Sequence, residues 1–141
     1  MGSLKNGSIR KPSISDPELV IEILQQILEA GKRIELRFAP IRKPDDFLSS
    51  DEGLDRLDAI CMMLIAIGKS LKNLDKITEG ALLPKYPGVD WKGAKGARDI
   101  ISHHYFDLNA EAVFGICIRD IPGLTKTIAT MIVDLQTDVS H

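Results

Sequence analysis

From Val20 onward, apolar residues recur at Ile23, Leu24, Ile27, Leu28 and Ile34. Those intervals of three, four and seven put one side of a helix into a core and leave Glu, Gln, Lys and Arg on the other. Ser15, Asp16, Pro17 and Glu18 signal its start: Ser15 and Glu18 have capping-box spacing, and Pro17 suits a first helical turn. Gly31 weakens this helix without ending it, and Pro40 and Pro44 mark a connection. A second start lies at Ser49 to Glu52, again with capping-box spacing. After it Leu54, Leu57, Cys61, Leu64, Gly68, Leu71 and Leu74 alternate steps of three and four, a heptad-like seam. Ile60, Met62, Met63, Ile65 and Ile67 are apolar as well, so burial on most sides is expected in the middle of this helix, with Met62 and Met63 as core residues.

Thr78 to Asp90 contains Gly80, Pro84, Pro87 and Gly88 and reads as a loop or a pair of short turns. Asp90 can cap a third helix running to about His104, whose face carries Gly93, Ala94, Ala97, Ile100 and Ile101. Gly93 and Gly96 are expected to let another backbone approach closely, and Trp91 to anchor the core. Asp107 or Asn109 can cap a fourth helix with Val113, Ile116 and Cys117. Pro122 and Gly123 then kink or restart it, and Leu124, Ile128, Met131, Ile132 and Leu135 continue the stripe. No segment alternates with period two for long, and no repeat recurs at a fixed spacing. The expected fold class is all-α, an up-and-down bundle of four to five helices forming one domain over residues 16–141. Residues 1–15, rich in Ser, Gly, Lys and Pro, read as a flexible arm.

Composition narrows the function classes. A net charge of −2 argues against a general nucleic-acid coat while leaving room for a local basic patch. Cys61 and Cys117 both sit in apolar runs and are expected to be buried free thiols of a reducing compartment. No apolar stretch is long enough to span a bilayer, so no membrane association and a cytoplasmic location are expected. His103 and His104 are adjacent, but no second ligand cluster accompanies them, so neither a metal site nor a cofactor is expected.

One string combines a base, a permanent cation and a phenol: Arg98, Asp99, Ile100, Ile101, Ser102, His103, His104 and Tyr105. Imidazole exchanges protons near neutral pH, and guanidinium holds phosphate through a bidentate fork. Together they suit metal-free cleavage of a phosphodiester, the arginine stabilising charge as it builds on the phosphate. Five residues on an ideal helix amount to about 140° of rotation and about 7.5 Å of rise. Arg98 and His103 therefore share no face of a straight helix. Either the helix ends near His103, or a second copy of the chain completes the site. Lys92, Lys95 and Arg98 fall at steps of three and can steer a polyanion; a solvated face is the competing reading.

The chain resembles the HepT-like (DUF86) branch of the HEPN superfamily over roughly residues 19–135. The resemblance is carried by DFLSS (Asp46–Ser50), LIAIGKSLKNL (Leu64–Leu74) and above all Lys85–Leu124, which holds an Arg-x-x-x-x-His-x-Tyr motif in full. It implies a four-helix domain acting as a homodimer, with the motif in the cleft between protomers. It further implies a metal-independent endoribonuclease toxin of a type VII-like toxin-antitoxin pair. Arg98 and His103 would be catalytic, and Asp99 and Tyr105 supporting. The partners would be an RNA substrate and a minimal nucleotidyltransferase antitoxin that adds AMP to Tyr105. The alternative is a non-catalytic HEPN module that binds a nucleotide or a protein. Two departures stand out: Gly68-Lys69-Ser70 replaces the family's usual Gly-Glu-Ala, and Val89-Asp90-Trp91 lacks the proline often found before the tryptophan.

Overall fold

The computed structural model describes residues 16–103 and 109–139. Helix α1 (Pro17–Phe38) begins where Asp16 accepts the Leu19 N–H, one residue after the expected Ser15 cap, which lies outside the described residues. Its buried stripe is Val20, Ile23, Leu24, Ile27, Ala30, Gly31 and Ile34, the side read from the sequence. A short 3-10 turn (Pro44–Phe47) leads to α2 (Asp51–Thr78), capped by the Ser50 hydroxyl on the Gly53 N–H, again one residue later than expected. The cause is common to both ends. The residue just before the first helical position is the one whose side chain reaches the third N–H, and Asp16 and Ser50 hold those places.

On α2, Leu57, Ile60, Cys61, Leu64, Ile67, Gly68, Leu71 and Leu74 are buried. Leu54 is exposed, and Met62 is 66% exposed, which corrects its reading as a core residue. Among the described residues the main neighbours of α2 are α1 and α3 (Trp91–His103), and Met62 lies on the side that neither covers. A 3-10 turn at Leu83–Lys85 precedes α3, and Trp91 is buried with its indole N–H donating to the Tyr86 carbonyl at 2.8 Å. Asp90 accepts the Gly93 N–H and caps α3 as expected.

After α3, Asn109 caps α4 (Ala110–Gly115), which passes through a π turn (Ile116–Asp120) into α5 (Ile121–Val139). Asp107, the other proposed cap, lies outside the described residues. The helices pack in the order α3, α2, α1, α5, while α3 and α5 scarcely meet. A cavity of about 230 Å³ occupies that seam, floored by Leu64 and Ile67 and flanked by Ala94, Ala97, Ile121 and Leu124. The described residues contain helices and turns and no strand, an all-α bundle as the periodicity predicts. No described helix is long and apolar enough to cross a membrane.

Candidate functional site

Helix α3 carries the motif from Arg98 to His103. It is unbroken from Arg98 to His103, so the two positions stay about 140° apart around its axis. Arg98 is partly exposed, and its Nη1 donates to Asp99 Oδ1 at 3.3 Å. Asp99 Oδ2 accepts from Lys72 Nζ of α2 at 3.3 Å. One carboxylate thus lies between two cations from two helices. Tyr105 and His104 lie outside the described residues, and only the backbone of His103 is described.

What brings α2 this close is Gly68. A Cβ there would stand 2.9 Å from Arg98 Cβ and 3.2 Å from the carbonyl oxygens of Ala94 and Lys95. The contact expected of Gly93 and Gly96 is therefore made from the other side. A Cβ on Gly96 would meet nothing, and one on Gly93 would meet only the capping carboxylate of Asp90. Missing side-chain volume on α2, not on α3, sets the spacing between the two helices at Arg98.

The proposed steering residues do not form a set of equals. Lys95 Nζ is paired with Asp75 of α2, and both side chains are mostly buried. Lys92 is exposed. Sequence reading missed Lys72, which the structure places beside Asp99 and so beside Arg98. Its spacing from Lys69 and Lys76, at steps of three and four along one side of α2, was the available signal.

Away from this surface, Cys61 and Cys117 are buried free thiols. Burial first, and then the Asp58 charge, pushes the Cys61 thiol up to about 11. Burial, followed by the nearby Cys61, pushes Cys117 up to about 12. Neither is a thiolate near neutral pH, which removes both as nucleophiles.

The model of the HepT-like family, described as ribonuclease HepT-like, matches residues 27–131. A protein of Methanocaldococcus jannaschii, described as a candidate RNase, is 34% identical over 113 residues, covering 80% of this chain and 87% of that protein. A second candidate RNase, from Caldanaerobacter subterraneus subsp. tengcongensis, is 33% identical over 70 residues, covering 50% of this chain and 59% of its own. No solved structure matches.

Proposed function

The chain belongs to the HepT-like ribonuclease family, and from that premise we propose that it is a metal-independent endoribonuclease acting as a homodimer. Arg98 and His103 are its catalytic residues in this reading, and Asp99 orients Arg98. The observation that carries it is the placement of Arg98: partly exposed on α3, steadied by Asp99, and on the same helix as His103.

Cleavage of this kind moves one proton in and one proton out. A base takes the proton of the ribose 2′-hydroxyl, the 2′-oxygen attacks phosphorus, and the bond to the 5′-oxygen breaks as an acid protonates it. The products are a 2′,3′-cyclic phosphate and a 5′-hydroxyl. Two imidazoles in opposite protonation states suit this exchange better than one. Each chain offers one His103, and about 140° separates it from Arg98 on the same helix. A two-fold cleft supplies two copies of each residue and closes that gap. The guanidinium stabilises the extra charge on the non-bridging phosphate oxygens as the pentavalent state forms.

The same reading places the protein as the toxin of a pair whose minimal nucleotidyltransferase partner adds AMP to Tyr105. The test is cleavage of total RNA and of tRNA in EDTA by wild type, His103→Ala and Arg98→Ala. Expected is cleavage by wild type and a fall of about a hundredfold or more in each variant, the usual scale for losing an acid–base or electrostatic group. Cleavage persisting in either folded variant overturns the assignment. If the wild type is silent and its Tyr105 is unmodified by mass, the chain is a non-catalytic binding module.

A further inference from the structure

The ion pairs Lys72–Asp99 and Asp75–Lys95 step in opposite directions along α2 and α3, so the two helices run antiparallel with a shallow valley between them. Helical spacing fixes what lines its outer side. Taking Gly68 as the point of contact, Lys72, Lys76 and Lys69 lie about 40°, 80° and 100° to one side of α2. Taking Arg98 as the matching point, Lys95, Asp99 and Lys92 lie about 60°, 100° and 120° to one side of α3. The Lys72–Asp99 bond shows that these two sides adjoin, while the Asp75–Lys95 bond crosses at the contact line itself, Asp75 lying about 20° to the other side of Gly68. Among the described residues of α2 and α3, Lys72, Lys76, Lys95 and Arg98 thus lie along this valley and Lys69 and Lys92 at its edges, with Asp75 and Asp99 between them, in a chain whose total charge is −2. Further toward the start of α2 the same side carries Asp58 and Asp55, which confines the positive field to the stretch beside Arg98.

Within the valley the charges are already partly matched. Lys95 is held by Asp75. Lys72 and Arg98 both lie against Asp99, two cations on one carboxylate. Lys69 is exposed and sits beside Gly68, at the level where α3 passes closest. From Lys69 to Lys76 the helix rises about 10.5 Å, room for more than one phosphate of an extended strand.

We infer that Lys69 and Lys72 of α2 form a phosphate-binding subsite that holds the RNA backbone next to the phosphate engaged by Arg98. The inference rests on the ribonuclease reading for the identity of the strand, but not for the charge geometry. It gives a function to Lys69, an exposed lysine next to the point where the two helices touch. It also moves the RNA path from the α3 face, where Lys92 and Lys95 suggest it, to the valley between α2 and α3.

The test is binding of a short 2′-O-methyl single-stranded oligonucleotide, which cannot be cleaved, across a range of salt concentrations. The proteins are wild type, Lys69→Gln, Lys72→Gln, the double variant, Lys72→Arg, and Lys32→Gln on the exposed side of α1. Each lost phosphate contact lowers the slope of log K against log salt by about 0.7 for a single strand. The double variant is expected to lose about 1.4, Lys72→Arg to keep the wild-type slope, and Lys32→Gln to change nothing. With cleavable RNA, KM should rise several-fold in Lys69→Gln, which leaves the Lys72–Asp99–Arg98 contacts in place, while kcat stays within about twofold, the signature of lost uniform binding. A double variant with the wild-type slope overturns the subsite, as does an equal loss in Lys32→Gln. Wild type that binds with the expected slopes but never cleaves, with Tyr105 unmodified by mass, sinks the ribonuclease reading and leaves the subsite standing.

Discussion

At Arg98, two neighbours decide the geometry. Gly68 sets how near α2 comes, and Asp99 sets where the guanidinium rests. The Arg98–Asp99 and Lys72–Asp99 pairs are 39–51% exposed, so they contribute little to stability and much more to orientation. Gly68→Ala is different in kind. Its methyl would meet Arg98 Cβ at 2.9 Å and two helix carbonyls at 3.2 Å, groups that cannot swing aside. Denaturant titration should show a loss of about 1–3 kcal/mol, the scale of overpacking a tight contact. RNA cleavage should fall further than stability does, because α3 carries Arg98 away with it. Wild-type stability in Gly68→Ala would show that the two helices part without cost. The motif itself was legible in the sequence, since Arg98, Asp99 and His103 are neighbours along the chain. Lys72 and Gly68 were not, because their part depends on which face of α2 meets α3, and an apolar pattern on α2 alone does not say so.

Element ends show the same division. The periodicity located the long helices and most of their buried positions, Leu54 and Met62 excepted, whereas the caps shifted by one residue at Asp16 and Ser50, where two neighbouring residues could each serve. The interruption expected at Pro122 proves to be a π turn just ahead of it, at Ile116–Asp120. Pro122 has no N–H to give the Ile118 carbonyl, and the turn widens so that the Ile121 N–H bonds to Ile116 instead. The C-terminus of α2 holds a less expected feature. Glu79 closes the helix at φ 53, in the left-handed region, followed by Gly80 at φ 74. A Cβ at such a position costs about 1–2 kcal/mol, and glycine avoids that while losing some of the gain to its freer unfolded state. Glu79→Gly should therefore stabilise the protein by about 0.5–1 kcal/mol, read as a higher denaturation midpoint with an unchanged slope. A lower midpoint would mean that the Glu79 side chain contributes more than its backbone strain costs.

On the scale of the whole molecule, α1 and α2 are the two central helices of the row, and their shared apolar layer holds α3 and α5 at its edges. Cys61 of α2 and Cys117 of the π turn both sit in that layer, at 2% and 4% exposure. Their titration reports on its integrity. An exposed thiol in the unfolded chain titrates near 9.0, whereas folding raises Cys61 to about 11 and Cys117 to about 12, mainly through burial. Above pH 9 the unfolded state gives up these protons first, so it is the state favoured by rising pH. The contribution of both groups is therefore complete below pH 9 and is lost as pH climbs through 11 and 12. Tyr86 adds to the same trend: burial and its hydrogen bond to Asp134 raise it from 10.0 to about 12. Thermal melts should give a Tm that is level from neutral pH to about 9 and then falls. In Cys61→Ala/Cys117→Ala the neutral Tm should be lower, because two buried sulfurs leave space behind, but the alkaline fall should be shallower, with Tyr86 supplying what remains. If the double variant falls as steeply as wild type above pH 9, the thiols are not where the core closes, and the layer that sets the distance between α2 and the π turn must be sought in other side chains.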